Sequence, residues 1–267
     1  MQSGANVALR ECRHGRMMFY QTDQYIGRSL DLYREFSELE ADLFAVLLKS
    51  GAVAIDVGAN VGAHTLRMAR AVGPEGLVHA FEPQRALYYM LCGNMALNEC
   101  SQVHAHHAAV GSAPGEICVP ILNYASGGNF GGVSLAYGPW KEGESIPVVT
   151  LDNLGLKRCD FIKIDVEGME REVLAGGEEL LAELRPVLYV ENDRPEKSMT
   201  LIQWLLDHSY RLFWHLTPLF NPCNIAGNIE NVFTNIISVN MLGIAAERCG
   251  DITGLPEITS PTDTWRL

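Results

Sequence analysis

No run of lysine and arginine occurs anywhere in the chain, and its formal net charge is -12. Polyanions are therefore repelled at long range with no local basic patch to offset it, so neither nucleic acid nor an anionic membrane is an expected partner. The seven cysteines, at positions 12, 92, 100, 118, 159, 223 and 249, form an odd set without a CxxC pair. This argues against a zinc cluster and a disulfide framework, and it fits a reducing cytoplasm. A membrane-length apolar run is also missing. Arg10, Glu11, Arg13, His14 and Arg16 occupy the stretch where a secretion signal needs an unbroken apolar core. Internal repeats and low-complexity tails are absent. A soluble cytoplasmic protein is expected, and its oligomeric state, homo-oligomer included, stays open.

What is present suits a single large core, since 48% of the 267 residues are hydrophobic. Leu39, Leu43, Val46 and Leu47 recur at helical spacing after Ser37, a candidate N-cap, and Gly51 is a natural stop. Short apolar runs then follow at 53–58 (VAIDVG), 77–83 (LVHAFEP), 161–165 (FIKID) and 186–192 (PVLYVEN), with another strand at 103–111. Such runs suit strands covered on both faces. Helical stretches at 65–71, 85–97 and 170–184 separate them. The alternation predicts an α/β fold built on a doubly wound, mostly parallel sheet, with ligands beyond the carboxyl ends of the strands. The runs at 210–216 and 235–242 read as an antiparallel C-terminal pair. Residues 1–50 form a strand and helix extension in this reading, 51–250 the main domain and 251–267 a tail. Residues 112–150, rich in glycine, read as an irregular insertion near the site.

The segment IDVGANVGAHT carries the pattern DxGxxxG: Asp56 closes the first strand, Gly58 and Gly62 permit close backbone approach, and Thr65 begins a helix. A dinucleotide pyrophosphate needs GxGxxG instead. Glu82 ends the next strand, 82 - 56 = 26 residues on, placed to accept hydrogen bonds from both hydroxyls of a ribose. A nucleoside is implied and a phosphate is not. S-adenosylmethionine fits, with Asp56 toward the cationic end of the cofactor. The competing view makes the glycines a bare tight turn and Glu82 a solvated strand end. His107 and Ala108, at the end of the third strand, stand where an adenine edge would be read. The candidate cofactor residues are Asp56, Gly58, Ala59, Asn60, Gly62, Thr65, Glu82, Pro83, His107 and Ala108.

Asp165 ends the fourth strand and Glu191, Asn192 and Asp193 end the fifth, so oxygen-bearing side chains are expected to converge. Asp165, Glu191 and Asn192 are the candidate metal ligands. A hard cation such as Mg²⁺ held there would bind a substrate hydroxyl and lower its pKa. The same acids could bind substrate directly or cap helices without metal. A general base is the alternative, and His215 and His64 are the candidates. Asp165, Glu191, Asn192 and His215 thus form the catalytic set. Lys163, inside a strand, reads as a structural partner of an acid. Asn129, Ser134, Trp140, Asn221 and Asn231 offer polar and stacking groups for an acceptor.

With these residues in view, the chain resembles the FkbM-type methyltransferases over about residues 25–242. The matching segments are YIGRSLDLYREFSELE, AIDVGANVGAHT, DFIKIDVEGMEREVLAGG, RPVLYVENDRPEKS and NVFTNIISVNML. The resemblance implies a class I methyltransferase fold and methyl transfer from S-adenosylmethionine to a hydroxyl of a sugar, glycan or secondary metabolite. It also implies cofactor roles for Asp56, Gly58, Asn60, Gly62, Thr65 and Glu82. By position, Asp165, Glu191 and Asn192 are similar to the metal ligands of catechol O-methyltransferases. Those enzymes have a lysine soon after the first metal acid, whereas this chain has Glu167 and Gly168. The chain also departs from the pattern in NPCNIAGNIEN, where aromatic residues are expected around 225–227. A nucleic-acid or protein methyltransferase is disfavoured by charge and by the missing NPPY tetrapeptide. A nicotinamide oxidoreductase and a nucleoside-binding module without turnover remain as alternatives.

Overall fold

The computed structural model describes residues 7–134, 140 and 142–265. A hairpin of β1 (Val7–Cys12) and β2 (Gly15–Tyr20) leads to helices α1 (Ile26–Tyr33) and α2 (Glu38–Leu47). Then β3 (Val53–Val57), α3 (Ala63–Val72), β4 (Leu77–Phe81), α4 (Arg85–Leu97) and β5 (Val103–His106) alternate. Three short strands follow: β6 (Ala109–Val110), β7 (Gly115–Val119) and β8 (Glu144–Val149). Alternation resumes with β9 (Phe161–Ile164), α5 (Glu170–Ala175), α6 (Glu178–Leu184), β10 (Val187–Glu191) and α7 (Pro195–Asp207). The chain closes with β11 (Tyr210–Pro218), β12 (Ile237–Ala245) and β13 (Glu257–Ile258).

The main sheet has the order β13-β11-β12-β10-β9-β3-β4-β5. Strands β10, β9, β3, β4 and β5 are parallel, whereas β12 runs antiparallel to both β10 and β11. The strand order reverses between β3 and β9, so their carboxyl ends open the crevice where doubly wound sheets bind ligands.

Side-chain alternation divides the core between the two faces. Ala54, Phe161 and Tyr189 face α1–α4, packing with Leu30, Phe44, Leu66 and Leu91. Ile55, Ile162, Leu188 and Val190 face α5–α7, packing with Leu174, Leu181, Ile202 and Leu205. Each such aliphatic or aromatic side chain contributes about 1.5–3 kcal/mol when fully buried. A sheet covered on both faces needs apolar residues at successive positions, which is why its central strands lack polar alternation.

Three local readings change. The run at 103–111 is two strands, because β6 leaves the main sheet and pairs with β8. The expected irregular insertion contains β7 and β8, whose Val119 and Ile146 are buried. The helical stretch at 170–184 breaks after α5, where a Cβ on Gly176 would come within 2.0 Å of the Gly111 carbonyl oxygen. Tyr137, Gly138 and Pro139 of the insertion lie outside the described residues. Among the described residues, no helix is long and apolar enough to cross a membrane.

Candidate active site

A cavity of about 440 Å³ opens at the carboxyl ends of β3, β4, β9 and β10. Its floor is the turn after β3. Gly58 adopts φ +82°, and a Cβ there would lie 1.9 Å from the Asp165 carbonyl oxygen, so only glycine lets the two strand ends approach. The amides of Gly58 and Ala59 both donate to the Phe81 carbonyl, at 3.1 and 2.9 Å, tying this turn to β4. Gly62 faces the other way: at φ +86° it begins α3, and a Cβ would meet Leu91 at 2.7 Å.

Glu82 follows β4 and lines the cavity, 4% exposed. Its Oε2 accepts from the Asn60 amide at 2.9 Å and its Oε1 from the Gln84 amide at 2.8 Å. Each oxygen keeps a further acceptor site, so the carboxylate is fixed but still able to receive two hydroxyl donors. Burial pushes its pKa up to about 7, against the lowering effect of the two amides.

Asp56 stands beneath this floor. It is fully buried, accepts from the Thr65 hydroxyl at 2.6 Å, and has the Lys163 ammonium 3.4 Å from Oδ1. Asp56 and Thr65 are absent from the cavity lining, whereas Gly58, Ala59, Asn60 and Glu82 form it. Pro83 and His107 are joined by a 3.1 Å hydrogen bond from imidazole Nε2 to the Pro83 carbonyl, and His107 stacks on Tyr88. Ala108 is buried in the core cluster. These last three do not line the cavity either.

Ligand oxygens of Asp165, Glu167 and Glu191 all lie within 4.8 Å of one another. The ligand trio expected from sequence is thereby altered in one member. Asn192 is buried and turns away, donating from Nδ2 to the Ser198 hydroxyl at 3.0 Å and toward Met241 sulfur at 3.2 Å. It follows the end of β10 on the opposite face from Glu191, as strand alternation requires. Glu167 takes its place, carried inward by a backbone at φ +58°. The signal for it was the turn VEG: a side chain next to glycine just after the strand.

Burial raises Glu191 well above the usual carboxylate range, with Asp165 adding to the effect, and Glu191 Oε2 has no hydrogen-bond partner. Burial and then Asp165 also raise Glu167, to about 7, although Arg194 pairs with it. Lys163 Nζ lies 3.2 Å from Asp165 Oδ2. Burial works against its charge, but Asp165 and Asp56 outweigh burial and hold the ammonium above its ordinary range.

His215 is kept out of the lining, its Nδ1 2.8 Å from the Tyr189 hydroxyl, and burial lowers its pKa. His64 does line the cavity, buried between Phe36 and Phe44 with Nε2 unpartnered, and burial lowers its pKa too. Glu40, on α2, lines the same end; its Oε1 accepts from Ser37 at 2.5 Å and its Oε2 from Asn240 at 3.3 Å. Sequence reading missed Glu40 because a glutamate in the first turn of a helix reads as a charge that complements the helix dipole.

Of the five polar acceptor candidates, Asn129 reaches the lining. Ser134 donates to the Glu167 carbonyl, Trp140 is exposed, and Asn221 donates to Glu35. Asn231 accepts from the Phe233 amide. The loop departing from the expected aromatic pattern does not itself line the cavity; Leu219 just before it and residues 236–240, mostly the start of β12, form that wall.

The sheet order, the glycine turn after β3 and the acid after β4 together define a class I methyltransferase fold. A precorrin-6y C5,15-methyltransferase from Geobacter metallireducens shares it, with a TM-score of 0.50 and 13% identity, covering 78% of this chain and 88% of that one. A precorrin-8w decarboxylase from Methanobacterium thermoautotrophicum aligns with a TM-score of 0.50 and 14% identity, covering 77% and 90% of the two chains. The family is narrower than the fold. Residues 56–212 match the methyltransferase FkbM domain, and the chain belongs to that family. It is similar to methyltransferase sdnD of Sordaria araneosa, 30% identical over 192 residues that cover 60% of this chain and 73% of that protein.

Proposed function

We propose that this chain is an S-adenosylmethionine-dependent O-methyltransferase acting on a hydroxyl of a sugar, glycan or secondary metabolite. Glu82 carries the reading: a buried carboxylate, pinned by two backbone amides, facing the cavity beside the glycine turn. That arrangement suits a ribose diol and gives no cradle for a pyrophosphate. Family membership supports methyl transfer. The reaction needs little covalent chemistry from the protein, so most of the rate comes from holding the acceptor oxygen in line with the sulfonium methyl in a site shielded from water.

Asp165, Glu167 and Glu191 would hold a divalent cation such as Mg²⁺, and the unpartnered Oε2 of Glu191 together with the all-oxygen donor set fits that ion. When bound, the cation supplies Lewis-acid polarisation of an acceptor hydroxyl. His64 is the protein group placed to take the acceptor proton. It lines the cavity, and burial favours its neutral form. His215, committed to Tyr189, is not.

The partners in this reading are a small-molecule or glycan acceptor and no nucleic acid or membrane, in keeping with the net charge of -12. All seven cysteines are free thiols, which fits action in a reducing cytoplasm. Calorimetry with S-adenosylhomocysteine and with NADH tests the donor: binding of NADH alone overturns the reading. Mass spectrometry of glycan and metabolite extracts, incubated with the donor with and without chelator, tests turnover. Binding without gain of a methyl mass on any hydroxylated acceptor identifies a module that keeps the pocket only.

A further inference from the structure

Three histidines stand together outside the cavity lining. His79 on β4 is the register partner of His104 on β5, and His106 pairs with Phe81 two positions on. Side chains two apart share a face, so all three imidazoles project from one side of the sheet at its β5 edge. His79 Nδ1 and His106 Nε2 are 3.0 Å apart. The His79 and His104 rings meet edge to face at 5.4 Å, and Phe81 stacks on His106 at 4.4 Å. The second nitrogen of His79, Nε2, is buried without a hydrogen-bond partner. Among the described residues, the histidine paired with a carboxylate is His14, not any of these three.

We propose that His79, His104 and His106 form a binding site for a borderline transition-metal ion of the Zn²⁺, Co²⁺ or Ni²⁺ class. Imidazole nitrogens suit these ions, and two ligands on a tetrahedral ion at bond lengths of about 2.0–2.1 Å stand about 3.3 Å apart. The His79–His106 pair is already near that separation. His104 is exposed, so its ring is free to swing onto the ion as third ligand, with water as the fourth. Phe81 fixes the His106 ring plane. Metal binding requires neutral imidazole. The consequence reaches the cavity: the Glu82 amide donates to the His106 carbonyl at 3.1 Å, so an ion bridging β4 and β5 clamps the strand ends that carry the Glu82 carboxylate.

The test is a Co²⁺ titration of the full chain after chelator treatment, in excess Mg²⁺ to occupy carboxylate sites, followed by visible absorption. The expected result is one bound Co²⁺ with ligand-field bands and no thiolate charge-transfer band. Losing a ligand should cost at least the roughly tenfold in affinity that losing an outer hydrogen-bond partner costs. His79→Gln and His104→Ala should both show it. Unchanged affinity in His104→Ala, a thiolate band, or no Co²⁺ bound would overturn the site and leave a hydrogen-bonded histidine cluster. Where His79→Gln does not fold, His104→Ala at its exposed position decides alone. None of these outcomes depends on the donor or acceptor reading of the cavity.

Discussion

Lys163 Nζ lies 3.4 Å from Asp56 Oδ1 at neighbouring register positions of β9 and β3, with both side chains almost sealed from solvent. The pair joins the strands whose ends form the cavity floor. Lys163 also reaches Asp165, so one buried cation serves an internal acid and a cavity acid. Removing it leaves Asp56 as an uncompensated buried charge, which costs about 3–5 kcal/mol. Lys163→Met should lower the urea-unfolding free energy by that amount, and adding Asp56→Asn should recover a large part of it. A loss confined to about 0.5 kcal/mol, the range of ordinary surface substitutions, would show that the pair is not the buried contact described.

Glu82 gives a pH prediction. In the proposed function a ribose diol donates to the ionised carboxylate, and burial raises its pKa to about 7. The binding-competent fraction therefore shrinks as pH falls below 7, by about tenfold per unit once well below it. Affinity for S-adenosylhomocysteine should rise between pH 6 and 8 and then level. Glu82→Gln should bind weakly at every pH, with that rise abolished in calorimetry. The same group carries an opposite signature in folding. Its native pKa exceeds the ordinary carboxylate value near 4.5, so the folded state holds the proton longer and the carboxyl's contribution to stability declines as pH rises from about 4.5 to 7. The difference in stability between the parent and Glu82→Gln, followed by urea melts across that window, should track this decline.

Gly58→Ala sets backbone geometry against function. The added Cβ meets the Asp165 carbonyl at 1.9 Å, and φ +82° is strained for any L side chain. The turn must shift, which moves Asn60 and the amide that holds Glu82. A stability loss of about 1–3 kcal/mol is expected from the strained backbone, with loss of S-adenosylhomocysteine binding in the fraction that remains folded. Thermal melts and calorimetry on one preparation separate the two effects.

The carboxylate trio predicts a cation-dependent stability. Mn²⁺ at a hundredfold excess over its Kd should stabilise the folded protein by about 2.7 kcal/mol, seen as a rise in melting temperature. Glu191→Gln removes one oxygen anion of the trio and should abolish the rise. Asn192→Ala should retain it, because Asn192 faces Ser198 and Met241. A cation response lost in Asn192→Ala but kept in Glu191→Gln would refute the assignment.

Tyr33 ends α1 and is buried against Leu219 and Phe233. Its hydroxyl donates to the Glu230 carbonyl at 2.7 Å and accepts from the Val232 amide at 3.0 Å, holding the loop between β11 and β12 against α1. Tyr33→Phe leaves both loop groups without that partner, and about 0.5–1.5 kcal/mol of local stability per lost bond should go with them. Faster amide exchange at 230–233, with the sheet core unchanged, is the expected readout.

The legibility of this chain divides along physical lines. Strands β3, β4, β9 and β10 announced themselves because a strand covered on both faces leaves a short apolar run ending in an acid or glycine. Asp56, Gly58 and Glu82 were visible because backbone approach and strand-end position are local properties of consecutive residues. The carboxylate trio was only half legible. Asp165 and Glu191 end their strands, but Glu167 enters through a left-handed backbone position, and Asn192 leaves because successive strand residues face opposite ways. Strands β7 and β8 were hidden by glycine and polar neighbours, and they form by pairing with each other and, through β8, with β6 rather than by burying two faces.

The sequence alone determined the alternating α/β plan, the glycine turn after β3 and the family, since each rests on short-range pattern. Tertiary structure decided what those residues face. It put Asp56 under the floor with Lys163, brought Glu40 and His64 to the cavity, and set three histidines from two strands on one face. Side-chain direction depends on register and packing between distant segments, and no local pattern encodes that.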